Sequence, residues 1–176
     1  MRVELLHPPH ANSTEDRLDP PLGLLSIASY LREHHDVVIS VNDLSGKSQR
    51  DWEINFADVY GLTVYAPSFS VSKEIIQQCK EKNPNSVIVV GGAHPSSMPF
   101  IFGTEVNHVV VGEGEKPIGD ILTSLTNQKA LNRILESTES VPFLFPAYDL
   151  VAINSYHRTI NKIKSQYNLD IQQFRA

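Results

Sequence analysis

Short runs of β-branched residues alternate with longer amphipathic segments over the first 128 residues of the chain. The longer segments repeat apolar residues every third or fourth position, which predicts helices that bury one face. The run SVIVV at residues 86–90 is apolar almost throughout, as in parallel strands that are covered on both faces. Strands are predicted at residues 2–6, 37–41, 58–66, 86–90 and 108–111. Helices are predicted at residues 23–35, 70–82 and 117–127, with a short, irregular helix within 96–106.

This alternation predicts an α/β fold of the flavodoxin-like or Rossmann-like type. Parallel strands need long, right-handed crossovers, and helices in those crossovers cover both faces of the sheet. Five strands connected in this way most often take the order 2-1-3-4-5. We therefore expect a five-stranded parallel sheet with helices on both faces.

The pattern changes after residue 128. Residues 130–135 are predicted to finish a helix, and residues 141–150, which are rich in proline and aromatic residues, to form an extended strap over the surface. The last stretch has apolar residues at intervals of 3, 4, 4 and 3, which predicts an amphipathic helix; they are Ile160, Ile163, Tyr167, Ile171 and Phe174. We divide the chain into an α/β domain at residues 1–128 and a C-terminal extension at residues 129–176.

Composition narrows the class of protein. The chain has 176 residues, of which 41% are hydrophobic and 20% charged, enough apolar material for one core without disulfides. A net charge of −5 argues against a nucleic-acid surface, which needs a basic stripe. No apolar run reaches the roughly 18 residues of a membrane-spanning helix, and the first residues lack the pattern of a signal peptide. We expect a cytoplasmic protein that binds neither nucleic acid nor membrane.

Glycine-containing loops follow several of the predicted strands. Gly91 and Gly92 follow the fourth strand, Gly112 and Gly114 follow the fifth, and the loop after the first strand spans residues 7–22, against roughly two to six residues in an ordinary connection. Ligands bind beyond the carboxyl ends of parallel strands, and glycine lets the backbone approach them closely. These loops predict a crevice for a bulky ligand, although each glycine pair alone is also typical of a tight turn.

Polar residues near these loops are further candidates. Thr63, Tyr65 and Ser68 follow the third strand and are expected to line the crevice, unless Tyr65 packs on the sheet. Ser96 is expected to cap a following helix. His94 is a candidate hydrogen-bond donor to a ligand or to a neighbouring carbonyl group.

Four segments occur in an order and spacing that resemble a known family: PPLGLLSIASYL at residues 20–31, VYGLTV at 59–64, VIVVGGAHPS at 87–96 and VVVGEGE at 109–115. Together with FPAYDL at residues 145–150, they resemble the N-terminal cobalamin-binding domain of cobalamin-dependent radical SAM enzymes. The resemblance implies that cobalamin is bound with its nucleotide tail threaded into the edge of the sheet. By position it implies contacts from Pro21, Leu22, Gly23, Leu24, Gly91, Gly92, His94, Pro95, Ser96, Gly112, Glu113, Gly114 and Glu115.

The sequence departs from related families at two motifs. The catalytic barrel of the radical SAM enzymes carries three cysteines in a CxxxCxxC motif, whereas this chain has Cys79 alone. The DxHxxG motif of mutase-type cobalamin domains is also absent, and His10 lies in the matching loop with different neighbours. We therefore predict that cobalt has no protein histidine ligand. We also predict that this chain has no catalytic residues and is not an enzyme, so that catalysis would require a partner chain. Glu113 and Glu115 suggest an acid–base pair, but we favour stabilisation by the helix dipole.

Three functions remain open at this point. The first is a stand-alone cobalamin carrier or sensor, or a separated subunit, that meets a protein partner through the C-terminal helix. The second is a subunit of a split cobalamin-dependent radical SAM enzyme. The third is a relict domain that binds a nucleotide-like or flavin-like ligand. A bulky residue at Gly92 is expected to block cobalamin while leaving the fold mostly intact.

Overall fold

The computed structural model describes residues 1–10, 17–137, 139–142 and 144–156. The amphipathic helix predicted between Ile160 and Phe174 lies outside the described residues. The described strands are β1 (Arg2–His7), β2 (Val38–Asp43), β3 (Val59–Thr63), β4 (Val87–Gly91), β5 (His108–Val111) and β6 (Ile134–Glu136). The helices are α1 (Leu22–His34), α2 (Phe69–Lys82), α3 (Ala93–Ser97) and α4 (Glu115–Asn127).

The strands form one parallel sheet in the order β2-β1-β3-β4-β5-β6. The first five follow the predicted order, but the sheet has six strands in the described part of the chain, so the prediction of five is wrong. β6 pairs with β5 in a segment that was predicted to finish a helix. Its three residues are too few to show the alternating pattern of a strand, and their conformation depends on the edge that β5 offers. The proposed domain boundary at residue 128 remains a prediction.

Two apolar layers cover the sheet, because neighbouring side chains along a strand point to opposite faces. Leu5 and Val89 pack on the side of α1 and α4. Leu6 and Val90 pack on the side of α2, which also buries Cys79. Helices therefore lie on both faces, and the carboxyl ends of the strands remain at one edge of the sheet.

A buried carboxylate holds the connection between β2 and β3, where the sequence pattern was weakest. Glu4 is 1% exposed and accepts hydrogen bonds from the side-chain amide of Asn55 at 2.6 Å, the backbone amide of Asn55 at 3.1 Å and the side chain of Asn42 at 3.2 Å. Burial raises the pKa of Glu4 above its ordinary value, and these hydrogen bonds offset only part of that increase.

Residues 144–156 run along α1 as an extended segment with two 3₁₀ turns. The Ala147 amide donates to the carbonyl of Leu25 at 3.1 Å, and Arg32 binds both carboxylate oxygens of Asp149 at 2.9 Å. The segment ends at Tyr156, which is 0% exposed. Among the helices in the described part of the chain, none is long and apolar enough to cross a bilayer.

Candidate functional site

Two adjoining cavities open at the carboxyl edge of the sheet. The inner cavity, of about 200 Å³, lies between the ends of β3, β4 and β5 and the first turns of α1 and α4. The outer cavity, of about 450 Å³, lies beside the end of β1. They share lining residues and so form one cleft: Gly23, Leu24, Thr63 and Tyr65.

Most of the predicted site residues meet in this cleft. Those that line the inner cavity are Gly23, Leu24, Thr63, Tyr65, Gly91, Gly92, Gly112, Glu113, Gly114 and Glu115. Pro21 and Leu22 line the outer cavity. Ser68, His94, Pro95 and Ser96 line neither of these two cavities. The part that each residue plays in binding remains a prediction.

Gly92 is required by the fold itself. Its φ of +100° lies in the region that favours glycine, and an added Cβ would stand 2.9 Å from Thr63 Oγ1 and 3.1 Å from the carbonyl oxygen of Val64. A bulky residue there would strain the backbone and disturb the β3–β4 edge. The expectation that such a change leaves the fold mostly intact is therefore wrong.

Gly23 is the better position at which to probe the cleft. It lies in the first turn of α1, lines both cavities, and an added Cβ would have no atom within 4 Å. Gly114 differs, because a Cβ there would stand 2.6 Å from Ile27 Cδ1. Thus Gly114 permits close packing of its loop against α1, whereas Gly23 leaves open space at the mouth of the cleft.

The two serines outside the cavities stabilise the loops around them. Ser96 lies within α3 rather than before a helix, so the predicted cap is wrong; its hydroxyl accepts a hydrogen bond from the Gly112 amide at 3.1 Å. This bond joins the loops that follow β4 and β5. Ser68 is buried, and its hydroxyl accepts from the Tyr65 amide and donates to the Tyr65 carbonyl, both at 3.1 Å.

His94 packs into the protein next to the cleft. Its backbone amide donates to the Val64 carbonyl at 3.1 Å, and its ring meets the edge of Phe69 with 4.9 Å between the ring centroids. The buried Nε2 atom has no hydrogen-bond partner in the part of the chain that the structure describes.

An aromatic cluster that the sequence did not predict stands at the outer cavity. His10 stacks on Tyr65 with 5.5 Å between the centroids, and His7 meets the edge of Tyr65 at 6.3 Å. Tyr65 is 38% exposed and lines both cavities, so it does not simply pack on the sheet. Within the described ranges, no three His, Cys, Asp or Glu side chains come together as a metal site.

The deep wall of the inner cavity is apolar and was also missed. Its side chains occupy positions that the periodicity assigns to the core, so no pattern in the sequence distinguishes a cavity wall from a packed interior. These residues are Ile27, Leu62, Val89, Val110 and Ile118.

A family model for the B12 binding domain matches residues 18–122 of the chain. The chain therefore belongs to the B12-binding family, its cofactor is cobalamin, and the resemblance found in the sequence is confirmed. The matched residues include the long loop's end, α1 and the glycine loops. They contain the lining of the inner cavity and most of the lining of the outer cavity, whose His7 and His10 precede the match.

Two curated relatives are enzymes by name. In an alignment 185 residues long, the chain is 26% identical to the uncharacterized methyltransferase PH0819 of Pyrococcus horikoshii. The alignment covers 89% of this chain and 40% of that protein. It is 30% identical over 136 residues to the anaerobic magnesium-protoporphyrin IX monomethyl ester cyclase of Rubrivivax gelatinosus, covering 71% of this chain and 24% of that protein. The chain thus spans less than half the length of either relative.

A solved structure shares the fold. The cobalamin-dependent S-adenosylmethionine radical enzyme OxsB, with aqua-cobalamin and S-adenosylmethionine bound, matches with a TM-score of 0.58 and 23% identity, over 74% of this chain and 19% of that one.

The prediction that this chain is not an enzyme is wrong, since the relatives it matches are named a methyltransferase and a cyclase. That prediction rested on the missing cysteine motif. The matched stretch is 24% to 40% of those proteins' length, and a motif absent from such a stretch does not decide the activity of the class.

The cleft fits cobalamin. A Cβ added at Gly23 would have no atom within 4 Å, the interior wall of the inner cavity is apolar, and the outer cavity has a volume of about 450 Å³. Planar, mostly apolar groups bind in such concave sites, with a few polar groups at the mouth to orient them. Thr63 and Glu113 supply polar groups in the inner cavity.

Proposed function

We propose that this chain binds cobalamin non-covalently at the carboxyl edge of the sheet and serves as the cobalamin-binding part of an enzyme. The inner cavity takes the nucleotide tail, and the outer cavity faces the corrin ring. The observation that carries this proposal is the open cleft formed by the loops after β1, β3, β4 and β5 within the family match.

Backbone and apolar surfaces supply most of the proposed contacts. Gly91 and Gly112 expose backbone at the inner cavity, and Ile27 and Val89 face the aromatic base of the tail. Burial of a flat apolar group against such walls contributes roughly 25 cal/mol for each Å² removed from water. Thr63 then orients the tail through its hydroxyl group.

We propose that no histidine of this chain ligates cobalt. His10 stacks on Tyr65, and both residues form part of the wall of the outer cavity. Bound cobalamin supplies a cobalt centre that carries a methyl group or exchanges single electrons. The residues described here bind it, orient it and keep water from the tail.

The class of reaction follows from the relatives. Their names include a methyltransferase and a cyclase, and the fold matches a cobalamin-dependent radical enzyme. We propose that this domain presents cobalamin to radical chemistry of that general class. We also propose a cytoplasmic location and a protein partner that binds the predicted C-terminal helix.

Reconstitution with hydroxocobalamin tests the proposal. Purified protein is mixed with excess hydroxocobalamin and desalted, and the absorbance spectrum of the protein fraction is recorded. We expect one corrinoid for each chain. Parallel samples contain flavin mononucleotide or ATP, and retention of either one with no retained corrinoid would show a nucleotide-binding or flavin-binding domain instead.

A further inference from the structure

A partly buried polar cluster lies at the carboxyl edge of the sheet, next to the segments that form the outer cavity. The Tyr156 hydroxyl donates to the Asp43 carboxylate at 2.6 Å. Arg17 lies over the Tyr156 ring, 4.9 Å from its centroid, and its Nε donates to the Ser155 hydroxyl at 2.9 Å. We call Tyr156, Asp43, Arg17 and Ser155 the edge cluster.

The edge cluster joins segments that are far apart in sequence. Tyr156 and Asp43 are 113 positions apart, and Arg17 and Ser155 are 138 apart. Tyr156 is 0% exposed and Asp43 is 5% exposed, so the hydrogen bond between them is shielded from water. Shielded bonds to a charged group are stronger than exposed ones and fix geometry more closely.

Two of these segments form the outer cavity. Asp43 ends β2 opposite His7 of β1, and His7 lines the outer cavity. Arg17 directly precedes residues 18–21, which line the same cavity. The edge cluster therefore joins segments that form two walls of the outer cavity, and none of its four residues lines that cavity.

The Tyr156 phenol is suited to this task. Burial raises its pKa above the ordinary range, so the hydroxyl group keeps its proton and donates to Asp43 throughout the neutral range. Asp43 also accepts a hydrogen bond from the Ser45 amide at 2.9 Å, which fixes the carboxylate at the end of β2.

We propose that Tyr156 is a positioning residue for cobalamin, which through Asp43 and Arg17 holds the walls of the outer cavity in the shape that accepts the corrin ring. This inference rests on the proposed function, since it assumes that the outer cavity faces that ring. Tyr156 acts through the walls and does not touch the ligand.

The test replaces the hydroxyl and keeps the ring. In Tyr156→Phe, we expect the Kd for hydroxocobalamin to rise about tenfold, since a single buried hydrogen bond is lost and the walls relax. The matched control is Asp149→Asn, which releases the same segment from Arg32 on the exposed side of α1. We expect the control to bind as the wild type does. Thermal unfolding is followed for both, and Kd is measured well below either midpoint.

A second corrinoid tests whether the effect of Tyr156→Phe arises at the outer cavity, and the thermal midpoints register any general loss of structure. Cobinamide lacks the nucleotide tail and so uses the outer cavity without the inner one. We expect Tyr156→Phe to weaken cobinamide and cobalamin by the same factor. A loss for cobalamin alone, or wild-type affinity for both, would overturn the inference.

A third variant covers the case in which Tyr156→Phe does not fold. Arg17→Gln removes the cation over the ring and leaves the Tyr156–Asp43 bond in place, and we expect a smaller rise in Kd for both corrinoids. Unchanged affinity in this variant would then overturn the inference. If the wild type retains no corrinoid at all, the proposed function fails, and this inference fails with it. If the wild type binds and the variants bind equally well, only this inference fails.

Discussion

Ser26 of α1 donates a hydrogen bond of 2.7 Å to the carboxylate of Glu115, the first residue of α4. Glu115 is buried and stands where the helix dipole favours a negative charge. The bond joins the two helices beside the inner cavity, which Glu115 lines. The bond thus connects α1 to α4 beside the inner cavity, and the part that Glu115 plays in binding remains a prediction.

Removal of this bond is expected to widen the inner cavity. Ser26→Ala leaves the buried carboxylate without this donor, and we expect a loss of about 1 kcal/mol in the free energy of unfolding. Because the proposed site of the tail lies between the same two helices, the Kd for cobalamin should rise several-fold. Urea unfolding and absorbance titration measure the two effects.

Ser29→Ala is the matched control for this change. Ser29 lies on the same helix, and its hydroxyl donates to the Phe145 carbonyl at 2.7 Å, away from both cavities. We expect a comparable loss of stability with unchanged affinity. If Ser26→Ala and Ser29→Ala bind cobalamin with the same affinity, the Ser26–Glu115 bond does not determine the geometry of the proposed tail site.

Gly23 allows the cleft to be filled without strain. In Gly23→Leu, the new side chain starts in open space at the mouth of both cavities, so we expect loss of cobalamin retention on desalting. The free energy of unfolding should stay the same or rise slightly, because glycine is a poor helix former. Thermal unfolding and the corrinoid spectrum measure both.

Two further glycine variants frame this result. Gly23→Ala adds a single methyl group and is expected to keep most of the affinity. Gly92→Leu is expected to destabilise the protein strongly because of its positive φ. Full corrinoid retention by a folded Gly23→Leu protein would place the ligand elsewhere.

The fold could be predicted because β3, β4 and β5 are apolar runs and because α1, α2 and α4 repeat apolar residues at helical spacing. The third strand was predicted to extend to residue 66, whereas β3 ends at Thr63. Val64 is buried, but Ser68 turns the chain at Tyr65 through two hydrogen bonds. Such a turn depends on one side chain and leaves no trace in the apolar pattern.

The site could be predicted only to the level of the loops that form it. Glycines at strand ends correctly indicated the edge where the cleft lies. The sequence could not show that Gly23 lies next to open space while Gly114 packs against Ile27, because such contacts depend on the folded arrangement of α1 and the loop after β5. Nor could it place His7 and His10 against Tyr65, because contacts between loops arise from the sheet order rather than from spacing.

The coordination of the cobalt ion in bound cobalamin tests the proposed absence of a histidine ligand. We expect the electron paramagnetic resonance spectrum of bound cob(II)alamin to lack the splitting that a nitrogen ligand causes, because we propose that the inner cavity holds the tail and because His10 stacks on Tyr65. His10→Ala should give the same spectrum as the wild type. A nitrogen splitting that disappears in His10→Ala would contradict the proposal.

Glu4 makes the stability of the protein depend on pH. Its pKa is raised in the folded state by burial, so the folded protein holds this proton more tightly than the unfolded chain does. The contribution of Glu4 is therefore fully present below the unfolded pKa and is lost as the pH rises through the folded pKa. Relative to Glu4→Gln, whose side chain does not ionise, the wild type should lose stability as the pH rises above the ordinary carboxyl range, which lies at about 4.

Urea unfolding of both proteins at pH values below and above this range checks the sign. Asp149→Asn is the control with the opposite sign, because the hydrogen bond from Arg32 lowers the pKa of Asp149 and its small contribution is lost as the pH falls. A difference between wild type and Glu4→Gln that stays constant with pH would show that Glu4 titrates in the folded protein as it does in the unfolded chain. A difference that grows in favour of the wild type as the pH rises would mean that the amides of Asn42 and Asn55 stabilise the charged carboxylate more than its burial destabilises it.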